Sequence, residues 1–289
     1  MRLPTLAAAL ILAASRAVGA DVPVQVVAAE NFYGGIAEAI GGDRVAVMSV
    51  LANPDQDPHL FEASPSVARA IAEARIVIAN GADYDPWMAR MIEASPSAER
   101  ILIVAADLVG ARAGANPHLW YAPATMPAVA HALADALIAV DPAHKAEYEA
   151  RLAEVDAALA KVADKARELR ARFARARVAA TEPVFGYMAE ALGLVVTNQR
   201  FQTAVMNDTE PSAADVAAFE DDIRSRRIRA LFYNSQVTGP QTGRLLALAG
   251  RAGVPVVGVT ETQPAGTTFP AWMLDQLQAT EKALAGPSS

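Results

Sequence analysis

The sequence predicts an α/β protein of two similar lobes, each a four-stranded parallel sheet flanked by helices, joined by one long rigid helix. Three observations predict it. Eight short β-branched runs recur along the 289 residues, four in each half. Most of them are followed by a turn or cap signal and then by helix-like sequence, the alternation expected of parallel sheets covered on both faces. Between the halves, one glycine-free stretch carries an apolar stripe of helical period.

Residues 1–20, MRLPTLAAALILAASRAVGA, are set apart first. Arg2, the apolar run Leu6–Ala14 and the small residues Val18-Gly19-Ala20 predict a secretory signal cleaved before Asp21. The run is too short to span a bilayer comfortably, and no cysteine stands at the cleavage site to carry a lipid. The first lobe, 21–141, holds the runs Val24–Ala29, Val45–Leu51, Ile76–Asn80 and Ile101–Ala106. Ser64-Pro65 reads as an N-cap followed by proline at the first helical position. The linking helix, 142–177, is read from Tyr148, Leu152, Val155, Leu159, Val162, Ala166, Leu169 and Phe173, which alternate at spacings of 4 and 3. From Pro142 to Arg175 it would run roughly 50 Å at about 1.5 Å per residue. A helix of that length in one chain reads as a strut across both lobes that restrains their relative motion. The second lobe, 178–289, holds Val178–Thr181, Leu194–Asn198, Ala230–Asn234 and Pro255–Thr260, with Ser212 and Asp215 forming a capping box.

Composition narrows the function. The chain is 53% hydrophobic and 20% charged, with no cysteine. That suits a globular protein and excludes disulfides and thiolate metal sites. Loss of Arg2 and Arg16 with the leader takes the net charge from −7 to −9. An acidic surface argues against nucleic acid as a partner and is compatible with cations. No dinucleotide fingerprint, Walker sequence, H-E-x-x-H or G-x-S-x-G occurs. Glu220-Asp221-Asp222 reads as a solvated helix face.

Ligand groups in open α/β sheets collect beyond the carboxyl ends of the strands. Three candidates fall there. His59 lies in DPHLFE after the second run, and His118 in NPHLWY after the fourth. Glu182 ends the fifth, in TEPVFGY, with Pro183 holding it extended. Only four histidines occur, and two share the phrase Pro-His-Leu-aromatic, 59 residues apart. Proline stiffens each loop, and Leu with the aromatic can wedge it into the core. Imidazole nitrogen with carboxylate oxygen suits a divalent transition ion such as Zn²⁺ or Mn²⁺. His131, in a helical pattern, and His144, at the start of the strut, read as structural or exposed.

On these residues the chain resembles the periplasmic or surface solute-binding proteins of ABC importers for zinc and manganese, the cluster A-I group. DPHLFE (Asp57–Glu62) and NPHLWY (Asn116–Tyr121) match its two His motifs. TEPVFGYMAEALGL (Thr181–Leu194) is similar to its third-ligand segment. EPSAAD (Glu210–Asp215) and the closing WMLDQLQATEKAL resemble further shared stretches. The resemblance covers nearly all of the mature chain. It implies two lobes on a long helix, with one metal buried between them. It also implies a fourth ligand, an Asp or Glu, before the closing helix. There the chain reads TETQPAGTTFPAWML, with Thr267 at roughly the expected place and Glu261 ending the last strand. The fourth position is therefore open to water, Thr267 or Glu261.

The function expected is a periplasmic carrier, not an enzyme. It would bind one Zn²⁺ or Mn²⁺ through His59, His118 and Glu182 and deliver it to an ABC permease, acting as a monomer. Acid would weaken binding by protonating the imidazoles. One rival is a metal-dependent hydrolase using an open coordination position. Another is a two-lobed binder of an organic solute or a metal chelate.

Overall fold

The computed structural model describes residues 22–53, 61, 64–112, 114–207, 209–237 and 239–286. The expected leader and His59 lie outside the described residues. The first lobe runs β1 (Val24–Glu30), α1 (Asn31–Gly41), β2 (Val45–Leu51), α2 (Pro65–Glu73), β3 (Ile76–Ala79), α3 (Pro86–Ala94), β4 (Ile101–Val104), α4 (Ala105–Val109) and α5 (Thr125–Val140). The long helix is α6 (Lys145–Phe173). The second lobe runs β5 (Arg177–Ala180), α7 (Gly186–Ala191), β6 (Val195–Val196), α8 (Gln199–Met206), α9 (Ala213–Arg224), β7 (Ala230–Asn234), α10 (Pro240–Ala252), β8 (Val256–Val259) and α11 (Phe269–Ala285).

Both sheets are four-stranded and every strand pair is parallel. Their orders are β2-β1-β3-β4 and β6-β5-β7-β8, the same topology twice. The central strands are apolar because helices cover both of their faces; all four residues of β3, IVIA, are buried. In each sheet the chain reverses its direction of travel between the first and third strands of the lobe. That switch point opens a crevice at the carboxyl ends of β1 and β3, and of β5 and β7.

The capping chemistry read from the sequence is realised. Ser64 Oγ accepts from Val67 N, with Pro65 opening α2, and Ser212 Oγ accepts from Asp215 N at the start of α9. One element differs. The stretch after β4, expected to continue as strand and loop, turns into the short helix α4. Gly110 ends it at φ 68°, a left-handed position that glycine adopts without steric cost.

The stripe on α6 is buried at Tyr148, Val155, Leu159, Val162, Ala166, Leu169 and Phe173. These side chains join one continuous core that reaches from Val26 and Ile78 in the first lobe to Phe232 and Leu277 in the second. The helix is therefore part of both lobes. On its outer side, Lys165 and Arg172 both pair with Glu281 of α11. Among the described residues no single helix is long and apolar enough to cross a membrane.

Leu169 is fully buried. Leu169→Ala should destabilise the protein by about 2–5 kcal/mol through lost burial and a residual cavity. Urea unfolding should show a lower midpoint at unchanged slope if the lobes unfold together. Two separate transitions would show that the strut does not unite them.

Candidate metal centre

The NPHLWY segment is fixed from both sides. Leu119, Trp120 and Tyr121 form a 3₁₀ turn and are buried. Trp120 packs on Phe32 at 4.7 Å and on Tyr84 at 4.9 Å, within the first lobe. Tyr121 faces the second lobe, against Phe185 at 5.4 Å and Trp272 at 5.8 Å, and its hydroxyl donates to Thr260 O at 2.9 Å. Asn80 Nδ2, just beyond β3, donates to Pro117 O at 2.9 Å. The Leu-aromatic wedge read from the sequence thus holds His118, which is 2% exposed.

The protonation of the His118 ring follows from its partners. Asn116 Nδ2 donates to Pro183 O at 2.8 Å, and Asn116 Oδ1 accepts from the His118 backbone N–H at 3.2 Å. A carbonyl only accepts and an amide N–H only donates, so the Asn116 amide has one possible orientation. Its Oδ1 also lies 2.6 Å from His118 Nδ1, which must therefore carry a proton. In the neutral ring, Nε2 is then a bare lone pair. It is buried, makes no hydrogen bond, and lies 3.4 Å from Glu261 Oε2.

Glu261 comes from the second lobe, two residues beyond β8, and is 1% exposed. Its Oε2 accepts from Tyr84 OH at 3.0 Å and its Oε1 from Asn234 Nδ2 at 2.5 Å. Its backbone N–H donates to Gln236 Oε1 at 2.5 Å. Asn234 Nδ2 also donates to Glu182 Oε2 at 2.9 Å. One amide therefore joins the two carboxylates, and the contacts run from Glu182 through Asn234 to Glu261 and on to His118. Among the described residues no three His, Asp or Glu side chains converge closely enough to hold an ion.

Thr267 lies elsewhere. Its hydroxyl donates to Pro264 O at 2.7 Å, and it lines a cavity of about 640 Å³ with Asn31, Ser49, Arg151 and Gln263. Of the protein groups left open for the fourth position, Glu261 is the one beside His118. His131 and His144 are remote from these groups and pair with Asp156 at 3.0 Å and Asp141 at 2.7 Å.

Several polar residues here were not singled out from the sequence. Register identifies three of them, Glu30, Asn80 and Asn234. Ala28 pairs with Ile78, and Ala180 pairs with Phe232. Two residues further along each strand stand Glu30 and Asn80 in the first lobe, and Glu182 and Asn234 in the second. Glu30 is thus the first-lobe equivalent of Glu182. In the second lobe the Asn donates to the Glu. In the first, Asn80 is engaged with Tyr33, Gly81 and Pro117. Glu30 is 2% exposed, and among the described residues no other side chain donates to its carboxylate oxygens.

Burial pushes the Glu30 carboxyl well above the usual range, with the nearby Asp85 charge adding to the effect. Asp85 is raised by burial too, although the Asn80 and Gly81 N–H groups donate to it. Tyr84 is held up by burial and by the charges of Glu261 and Glu30, so its phenol stays protonated and keeps donating to Glu261.

Comparison with known proteins agrees with this geometry. Residues 26–283 match the family model described as zinc-uptake complex component A, periplasmic. The manganese ABC transporter substrate-binding lipoprotein PsaA of Streptococcus anginosus is 21% identical over 229 residues, 74% of this chain and 73% of that one. A putative metal-binding protein of Treponema pallidum is 22% identical over 217 residues, 68% of this chain and 67% of that one. Among solved structures, the periplasmic zinc-binding protein TroA from Treponema pallidum aligns with a TM-score of 0.76 at 20% identity. The alignment covers 92% of this chain and 99% of that one. The solute-binding protein FpvC of P. aeruginosa, solved with Ni²⁺, aligns with a TM-score of 0.74 at 18% identity, covering 93% and 100%. At these identities the likeness of structure speaks to the fold.

The buried Glu30 sets a pH dependence. Above the ordinary carboxyl range the unfolded chain gives up this proton while the folded chain keeps it. Stability therefore falls as pH rises, until the raised folded pKa is passed. The slope is about 1.4 kcal/mol per pH unit for one proton. Glu30→Gln removes the term, so the variant's gain in melting temperature over wild type should grow between pH 4.5 and 7.5. A difference that shrinks with pH would show that Glu30 is ionised and stabilised in the folded protein.

Proposed function

We propose, from the premise that this chain belongs to the family of periplasmic zinc-uptake component A proteins, that it captures one divalent transition ion, Zn²⁺ or Mn²⁺, between its lobes for an ABC importer. The observation that carries the reading is the approach of His118 Nε2 to Glu261 Oε2 at 3.4 Å in a site closed to water. With Nδ1 protonated, the neutral ring turns the Nε2 lone pair toward a carboxylate oxygen of the other lobe. A cation between them would be bound by nitrogen and carboxylate oxygen, the donor set that Zn²⁺ and Mn²⁺ accept.

In this reading His118 and Glu261 are the central ligands. Glu182, tied to Glu261 through Asn234, supplies a further carboxylate, and His59 supplies the second imidazole on the strength of its Pro-His-Leu-aromatic motif. Asn234 donates to both carboxylates, spacing them and partly offsetting their charge. An arriving ion takes over that role. The ion reaches the site outside the cytoplasmic membrane and leaves it at the permease. The protein acts as a binder and a monomer, and its acidic surface favours cations over nucleic acid.

Elemental analysis of protein from its native compartment tests the reading. Wild type should carry close to one equivalent of Zn or Mn. His118→Ala and Glu261→Gln should each weaken Zn²⁺ and Mn²⁺ binding by more than about 100-fold, since loss of even an outer hydrogen-bond partner costs 10–100-fold. Thr267→Ala should bind like wild type. Wild type with no more metal than His118→Ala would overturn the reading, and loss of binding in Thr267→Ala would move the fourth ligand.

A further inference from the structure

Asn116 uses every polar group of its side chain, and it uses them in two lobes. Its Oδ1 holds His118 at both the backbone N–H and ring Nδ1, while its Nδ2 reaches across to Pro183 O, next to Glu182. Its backbone carbonyl accepts from Tyr187 OH at 2.8 Å, a second tie to the same segment of the other lobe. The opposing surface is shaped for this amide. A Cβ on Gly186 would lie 2.8 Å from Asn116 Nδ2. Gly186 is helical, at φ −56°, so its backbone does not require glycine; the space above it does.

We propose that Asn116 is a positioning residue that couples the orientation of the His118 ring to contact between the lobes. The amide is one rigid plane. While Nδ2 is held by Pro183, Oδ1 is fixed where it keeps the proton on Nδ1 and the lone pair of Nε2 facing Glu261. When the lobes separate, Pro183 withdraws, the amide is free to turn, and the ring loses its restraint. Lobe separation and weakening of the His118 ligand are then one event. This gives a way to release an ion without first protonating its ligands. The proposal rests on the carrier reading above for its consequence, but the coupling itself is a property of the protein without metal.

Three variants separate its parts. Asn116→Ala removes both arms. Asn116→Asp keeps an acceptor for Nδ1 and removes the donor to Pro183. Gly186→Ala leaves Asn116 and every candidate ligand in place and only fills the space under Nδ2. Nitrogen NMR of the histidine rings, without metal, reads the first half. Wild type should show a His118 Nδ1–H protected from exchange, Asn116→Asp and Gly186→Ala, each without the tie to Pro183, should weaken that protection, and Asn116→Ala should lose it. Transfer of bound Zn²⁺ to a chelator reads the second half. Ion loss should be about 10–100-fold faster in Asn116→Ala and Gly186→Ala, the range for losing an outer partner of a ligand. Asn116→Asp should fall between these and wild type. The melting temperature of Gly186→Ala should drop only slightly, because the lost amide bond is partly offset by alanine's better helix propensity; a wider structural defect would lower it far more. Gly186→Ala with wild-type ring protection and wild-type ion loss overturns the proposal, and so does wild type with no protected Nδ1–H. A wild type that binds no Zn²⁺ but shows the protected ring overturns the carrier reading and leaves the coupling standing.

Discussion

A lone pair on His118 Nε2 and a carboxylate oxygen of Glu261 are held 3.4 Å apart, each from a different lobe, where solvent does not reach. A buried imidazole nitrogen stays turned toward a carboxylate of the other lobe only where the surroundings hold both groups in place. Here the surroundings do. Asn116 fixes the ring on one side, and Tyr84, Asn234 and Gln236 fix Glu261 on the other. Buried aromatics hold both backbones. Trp120 anchors the His118 turn in the first lobe, and Tyr121 fastens the same turn to the second. The approach is thus a product of the packing between lobes, and whatever moves one lobe changes it.

That packing descends from the repeated topology. Two parallel sheets of the same strand order point their carboxyl ends at one crevice, and each switch point presents a Glu and an Asn at the same register. The two copies have diverged in use. In the second lobe Asn234 serves Glu182 and Glu261. In the first lobe Asn80 serves the NPHLWY turn through Pro117 and donates nothing to Glu30. The strut completes the arrangement. Its stripe is buried against both lobes, and the amide and phenol ties across the crevice (Asn116 to Pro183, Asn31 to Gln263, Tyr84 to Glu261) hold the two sides together. An opening that frees the site must break these particular bonds while α6 stays intact.

The legibility of these features follows their physical origin. The eight strands are readable because β-branched apolar runs bounded by turns report double burial, and α6 because its 3–4 stripe lies along a single face. His118 and Glu182 are readable because residue type and strand-end position coincide. Glu261 was only one of three alternatives for the fourth position. It stands two residues beyond β8, as Glu182 stands two beyond β5, and equal offset from equivalent strands is the signal that favours it over Thr267. Asn116 and Tyr84 carry no such signal. Their roles depend on which side chains from the other end of the chain come within 3 Å, and no local pattern encodes that. The short helix α4 was hidden because AADLV is too brief for a periodicity and is set by Gly110 behind it.

Charge gives the last step. The crevice gathers Glu30, Asp85, Glu182 and Glu261, all buried, and the partners described for them are amides, backbone N–H groups, a phenol and an imidazole. No lysine or arginine in the described ion pairs reaches them; those pairs lie on the surface of the molecule. A protein that used these acids only for stability would do better to pair them with buried cations or replace them with apolar side chains. Keeping several acids around one imidazole makes sense if the compensating charge arrives from outside and must leave again. A resident arginine would neutralise the site permanently and abolish its affinity for a dication. Burial, which pushes the Glu30 carboxyl well up, lowers the negative charge that the crevice has to carry. The cost in stability of leaving that carboxyl bare is therefore the cost of keeping the crevice ready for a positive guest.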